Sequence, residues 1–171
     1  MARSAAAEAE VPYVTSVVEL MELLHAGRDD HALRTAALLR RSHPADKELQ
    51  LAGLLHDIGR MLRPGDGARH AVLAAEAVRP LLGERVARLV RLQATPAVAS
   101  GGAGGADRAG EDAEAVATLC QAREAAGAAG AEAGVLEDWR PLLELVAAGS
   151  CRAGNVIGPL GGPRGPITDV R

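Results

Sequence analysis

Residues 51–59 read Leu51-Ala52-Gly53-Leu54-Leu55-His56-Asp57-Ile58-Gly59. Small and branched apolar residues predict a helix driven into the core. That helix delivers an imidazole and a carboxylate side by side, where Gly59 removes side-chain bulk. A buried charge is costly unless it is paired or bound to a metal. Neighbouring helical residues point about 100° apart, so His56 and Asp57 can both reach one ion on the helix flank. A cation taking nitrogen and oxygen ligands suits that donor set.

Reading outward, Asp46, Glu48 and Leu49 open this buried helix, which is expected to run through Ile58 and end at or soon after Gly59. Asp29 and Asp30 start the helix before it, His31 to Arg41. There His31 sits among small residues and can face inward. A first helix begins at Thr15 or Ser16, with Glu19 completing a capping box. Its apolar positions run from Val17 to Leu24, and Gly27 is expected to close it in the left-handed conformation. His25 suits a helix C-terminus. Ser42-His43-Pro44 is a turn with His43 exposed, since the residue before proline avoids the helical region.

Downstream, residues 63–67 form a loop and His70 opens a further helix, with Pro80 and Gly83 breaking the pattern. A fifth helix spans Glu84 to Leu92, with Val86, Leu89 and Val90 inward. Residues 95–110 are low in complexity and read as a flexible loop. Their glycines lack the flanking strand and Lys-Ser/Thr that a phosphate-cradling loop needs. Helix resumes near Asp112 and runs towards Ala126. Val135 to Leu145 is the last helix, anchored by Trp139. Residues 1–12 read as a disordered leader, 13–148 as the folded domain and 149–171 as a flexible tail.

The chain has 171 residues, enough for one domain with a sizeable core. Phe is absent and Tyr13 and Trp139 are the only aromatics, so the core must be Leu, Val and Ala. Such segments with period-3.6 patterning favour helix, and no alternating pattern argues for a sheet. The expected fold is an all-α bundle of five to seven helices. A net charge of −3 excludes a basic nucleic-acid footprint. No apolar run reaches membrane-spanning length. Cys120 and Cys151 do not make a disulfide framework and fit free thiols in the cytoplasm.

The motif Asp46-Lys47-Glu48-Leu49 leading to Leu54-Leu55-His56-Asp57-Ile58-Gly59, with His31 one helix upstream and His70 after it, resembles the HD superfamily of metal-dependent enzymes. The resemblance covers about Val14 to Leu92. It implies an HD-type helical bundle holding a divalent ion (Fe, Mn, Mg, Co or Zn). His31, His56, Asp57 and His70 would be its ligands, with Asp57 and His70 also catalytic. In the di-iron oxygenases of this superfamily a further histidine stands where this chain has Gln93, and a Trp-Asp-Asp supplies a last carboxylate. Here Arg140 and Pro141 follow Trp139, so either Asp138 takes that place or the ligand is lost. In the mononuclear phosphohydrolases the last ligand is a later Asp, for which Asp107 and Asp112 have suitable spacing. The metal site is therefore partly degenerate.

Arg34, Arg60 and Arg69 flank the candidate ligands and can hold a phosphate in bidentate fashion. Gln93 is a further candidate for binding substrate. The resemblance thus implies a hydrolase acting on a small phosphorylated substrate. The alternatives are an iron-dependent oxygenase like the phosphonate-cleaving members, or a non-catalytic HD-like protein that binds a ligand or partner. The partners expected are a small molecule, phosphorylated or a phosphonate, with no nucleic acid or membrane; a homodimer is allowed.

Overall fold

The computed structural model of the chain describes residues 13–27, 30–94, 106–128 and 132–154. Within them the chain forms α1 (Val17–Gly27), α2 (Asp30–Ser42), α3 (Lys47–Leu55), α4 (Ile58–Leu62), α5 (His70–Leu82), α6 (Glu84–Leu92), α7 (Ala106–Ala128) and α8 (Arg140–Gly154). A single 3₁₀ turn, Leu136–Trp139, leads into α8. The described residues contain no strand, and no helix among them is long and apolar enough to cross a membrane. The all-α expectation holds. Seven of these helices are nine residues or longer, and α4 is a single short turn beside them.

α3 is the central element. All its residues from Leu49 to Leu55 are buried, and it packs against α2, α6, α7 and α8. The core around it is Leu, Ala and Val, with Trp139 as its one large aromatic. Arg40 lies over the Trp139 ring, 4.7 Å from its centroid, a cation–π contact that ties α2 to the start of α8. Close packing depends on small residues. A Cβ built on Gly53 would stand 2.6 Å from Leu39 Cδ1, so the glycine lets α3 approach α2.

The capping box at α1 forms with one difference. Ser16 Oγ accepts from Glu19 N, as a cap should, but Glu19 reaches past it to the Thr15 N–H and hydroxyl. Gly27 does not close α1 in the left-handed region. It is the last helical residue, and a side chain on it would displace the end of the Met61 side chain packed there. Pro80 does not break its helix either, for α5 continues to Leu82. Proline inside a helix costs roughly 3 kcal/mol, but Leu81 and Leu82 beyond it are buried, each worth roughly 1.5–3 kcal/mol. Gly83, at φ 90°, makes the actual break. α6 has the expected bounds.

The C-terminal half departs further from expectation. α7 begins at Ala106, inside the stretch read as a loop, and α8 continues to Gly154. Residues 95–105, like the leader 1–12 and residues 155–171, lie outside the described residues. Asp112 is buried on α7 and accepts from Arg88 Nε at 2.9 Å, which joins α6 to α7.

One polar clamp holds the entry to α3. Asp46 accepts from Leu49 N at 3.0 Å as the N-cap, and its two oxygens accept from Arg85 of α6, both at 2.7 Å. Glu48 adds a third contact to Arg85 at 3.0 Å. The Arg85 hydrogen bond holds the Asp46 carboxyl below its ordinary value of 3.8 against the opposing effect of burial. A carboxyl so depressed contributes its stability fully above its unfolded value and loses it as pH falls through the folded one. Asp46→Ala is expected to lower stability by about 2–3 kcal/mol at neutral pH, cap and charged pair together. The wild type should lose that margin over the variant as pH is taken below 3.8. Denaturant titrations of both proteins at a series of pH values check this.

Candidate metal centre

The helix expected to run through Ile58 stops at Leu55. His56 and Asp57 form the turn between α3 and α4, with Asp57 at φ −105°, ψ 3° as the residue before α4. The pair is thus presented from a corner of the backbone and not from a continuous helix flank. Gly59 makes the corner possible. A Cβ on it would overlap the His70 carbonyl, whose carbon would lie 2.6 Å away. The start of α5 therefore passes directly over Gly59 and brings His70 to Asp57.

Two backbone carbonyls fix the imidazoles. His56 Nδ1 lies 2.7 Å from Gly53 O, and His70 Nδ1 lies 2.7 Å from Gly67 O. A carbonyl only accepts, so each Nδ1 carries the proton. In the neutral ring each Nε2 then bears a lone pair. His56 Nε2 is completely buried and stands 3.2 Å from Asp57 Oδ2, off the line of a good hydrogen bond. His70 Nε2 is 3.8 Å from Asp57 Oδ1. Neither His56 Nε2 nor Asp57 Oδ1 has a hydrogen-bond partner among the described residues. His31, from the first turn of α2, sets its ring edge-on to His56 with centroids 5.6 Å apart.

Burial acts to raise the Asp57 carboxyl. Contact with His56 and the charges of His56, Arg60 and Arg123 overcome it and hold the group down at about 2. Asp57 is therefore ionised at neutral pH. With His56 and His70 neutral, imidazole lone pairs and a carboxylate converge at this corner, and Arg60 Nε stands 3.4 Å from Asp57 Oδ1. Those lone pairs and the carboxylate are the donor set a divalent cation takes, and the arrangement of backbone carbonyls behind ligating imidazoles is the usual outer support of such a site. As they stand, no three His, Cys, Asp or Glu side chains among the described residues are drawn together closely enough to hold an ion. Ligand bonds of about 2.0–2.2 Å would require His31 and His70 to move inward.

The other candidates divide. Arg60 reaches Asp57 Oδ1 at 3.4 Å with a mostly exposed side chain. Arg69 is exposed beside His70. Gln93 is buried, but both ends of its amide face protein: Oε1 accepts a short hydrogen bond from Arg123, and Nε2 lies 3.4 Å from His56 O. Asp138 is exposed on the 3₁₀ turn, and its side chain enters no ion pair among the described residues. Asp112 is committed to Arg88, and the side chain of Asp107 lies outside the described residues. A groove of about 730 Å³ opens beside Leu54, bordered by Leu24, His25, Leu33 and Glu137, but none of the four candidate ligands lines it. Sequence reasoning missed Arg123. Its signal was a cation beside the inward stripe Ala115, Leu119, Ala122, Ala126 of an otherwise Ala-rich helix.

A family model described as HD domain matches residues 28–128, more than half of the chain. No curated protein and no solved structure matches.

Gly59→Ala is expected to force the start of α5 away from the corner. Overpacking against backbone costs about 1–3 kcal/mol, and the His70–Asp57 approach should be lost with it. A lowered melting temperature together with weakened divalent-metal binding, measured by calorimetry, checks this.

Proposed function

The chain belongs to the HD domain family, and on that premise we propose that it is a metal-dependent hydrolase acting on a small phosphorylated substrate. The observation that carries the reading is the buried pair of unpartnered acceptors, His56 Nε2 and Asp57 Oδ1. Arg60 Nε, at 3.4 Å, gives Asp57 Oδ1 only a distant donor, whereas a divalent cation serves both acceptors at once. His56 and Asp57 would hold the ion, with His31 and His70 closing on it, and Asp138 has no part. When bound, such an ion polarises a phosphoryl oxygen and lowers the pKa of a water molecule towards neutrality.

The protein groups do the rest. Asp57, ionised well below neutral pH, orients the attacking water and accepts its proton at the oxygen left free. His70 Nε2 points its lone pair to within 3.8 Å of that carboxylate, where it would ligate the ion beside Asp57. Its Nδ1–H stays fixed on Gly67 O, so the ring keeps its orientation. Arg60 and Arg69 stand at the exposed side, where a phosphate would arrive. The oxygenase reading loses support at Gln93, because the oxygen that would have to bind a second metal is held by Arg123.

Protein prepared without chelator is expected to contain about one divalent ion per chain. His56→Ala/Asp57→Ala should remove the ion and lower hydrolysis of a generic phosphate ester by more than about 100-fold, since even outer-sphere changes cost 10- to 100-fold. Metal analysis and steady-state kinetics check this. A variant that keeps both metal and activity rejects the reading, and a wild type that binds no metal leaves the chain a non-catalytic HD-like protein.

A further inference from the structure

α2 and α7 run antiparallel along one seam. At one end a Cβ built on Gly127 would stand 4.0 Å from His31 Cε1. At the other, His43, just after α2, shares a cavity with Glu111, Glu114 and Thr118 of α7. On α2, Arg34 is three residues from His31 and so lies on the same face. On α7, Arg123 is four residues from Gly127 and again shares its face. The two arginines therefore stand at one level of the seam, one turn from the His31 end.

Both are poorly satisfied. Arg34 Nε and Arg123 Nε are buried without a hydrogen-bond partner among the described residues. Arg123 makes one bond, through Nη1 to Gln93, and Gln93 carries no charge. Neither arginine forms an ion pair among the described residues. Glu124, next to Arg123 in sequence, is exposed, and Asp112 is taken by Arg88. Arg123 acts electrostatically on Asp57, which already answers to His56 and Arg60. A buried Nε–H without an acceptor is costly, and each of these half-buried arginines carries one. An oxyanion between them removes both penalties, because a guanidinium fork matches its geometry.

We propose that Arg34 and Arg123 form an oxyanion subsite across the α2–α7 seam, beside the His56–Asp57 corner. It takes an anionic group of the ligand that is separate from the group at the metal centre. That the ligand is a substrate rests on the hydrolase reading, and its class is then a small molecule with two anionic groups, such as a bisphosphate. The subsite itself does not depend on catalysis.

The test uses full-length protein stripped of metal, with inorganic phosphate as the probe in calorimetry. The wild type should bind phosphate. Arg34→Gln and Arg123→Gln should each weaken binding by at least about tenfold, the loss of one charge-assisted contact. Arg91→Gln, an exposed arginine on α6, should change nothing. If a glutamine variant fails to fold, Arg123→Lys retains the charge without the fork and should bind with intermediate affinity. No phosphate binding by the wild type, or unchanged binding by Arg123→Gln or Arg123→Lys, overturns the proposal. The two readings separate cleanly. Arginine-dependent phosphate binding in a protein with no phosphatase activity keeps the subsite and removes the hydrolase. Phosphatase activity without such binding removes the subsite alone.

Discussion

Two acceptors face each other inside a core of leucine and alanine, and that constraint governs how the rest of the chain is arranged. His56 Nε2 and Asp57 Oδ2 lie 3.2 Å apart, off the line of a good hydrogen bond. With the imidazole neutral such a contact is repulsive, and a proton on Nε2 or a cation in the gap relieves it. The fold could have relieved it by letting the imidazole rotate. It does not, because Gly53 O holds Nδ1 at 2.7 Å and fixes which nitrogen looks outward. Gly53 thus serves twice: its missing side chain lets α2 close on α3, and its carbonyl aims the ring. The unpaired acceptors are a local cost carried by the surrounding apolar burial, one that the cation of the proposed function would offset.

Placing these groups at a corner has consequences that a straight helix would not have. On a continuous helix, Asp57 would sit about 100° around from His56, and α5 would have no reason to come near. Breaking the helix at residues 56–57 lets α4 turn away, and the bare backbone of Gly59 then admits the start of α5. His70 arrives by way of its helix start, held by Gly67 O. The same carbonyl-to-Nδ1 device occurs on two separate segments, so both rings offer the same nitrogen to one space.

Much of this was legible in the sequence, and the limits have physical causes. The apolar run into His56-Asp57 placed the central helix, and the bounds of α6 followed from its strongly segregated pattern with Gly83 before it. Local propensity misled at Pro80, where two buried leucines outweigh the lost hydrogen bond. It misled again at Gly27, which is needed for proximity to Met61 and not for left-handed backbone. The helix break was invisible because His56 itself keeps helical dihedrals. The start of α7 was hidden by Ala/Gly composition that reads as a linker. Of the candidate site, His56 and Asp57 stood out as polar residues closing an apolar run, while His31 and His70 were marked by their place around the HD-like motif. The commitment of Gln93 to Arg123 was not, since it pairs positions thirty residues apart across two helices.

That last pair changes the character of the centre. A histidine at position 93 would offer a nitrogen lone pair towards the site. Gln93 turns its amide donor to the His56 carbonyl and gives its oxygen to Arg123. The position therefore contributes no donor to an ion and instead anchors a cation of the protein's own. Arg123 brings positive charge into the field of Asp57, where it competes with any further metal ion. A guanidinium cannot activate water as a metal does, but it is permanently charged and forked. The position thus gives up a donor towards the corner and gains a hydrogen bond to a cation, and Arg123 and Arg34 each keep an unpartnered Nε. On the function proposed above, such a centre would hold a single ion next to a ligand rich in negative charge.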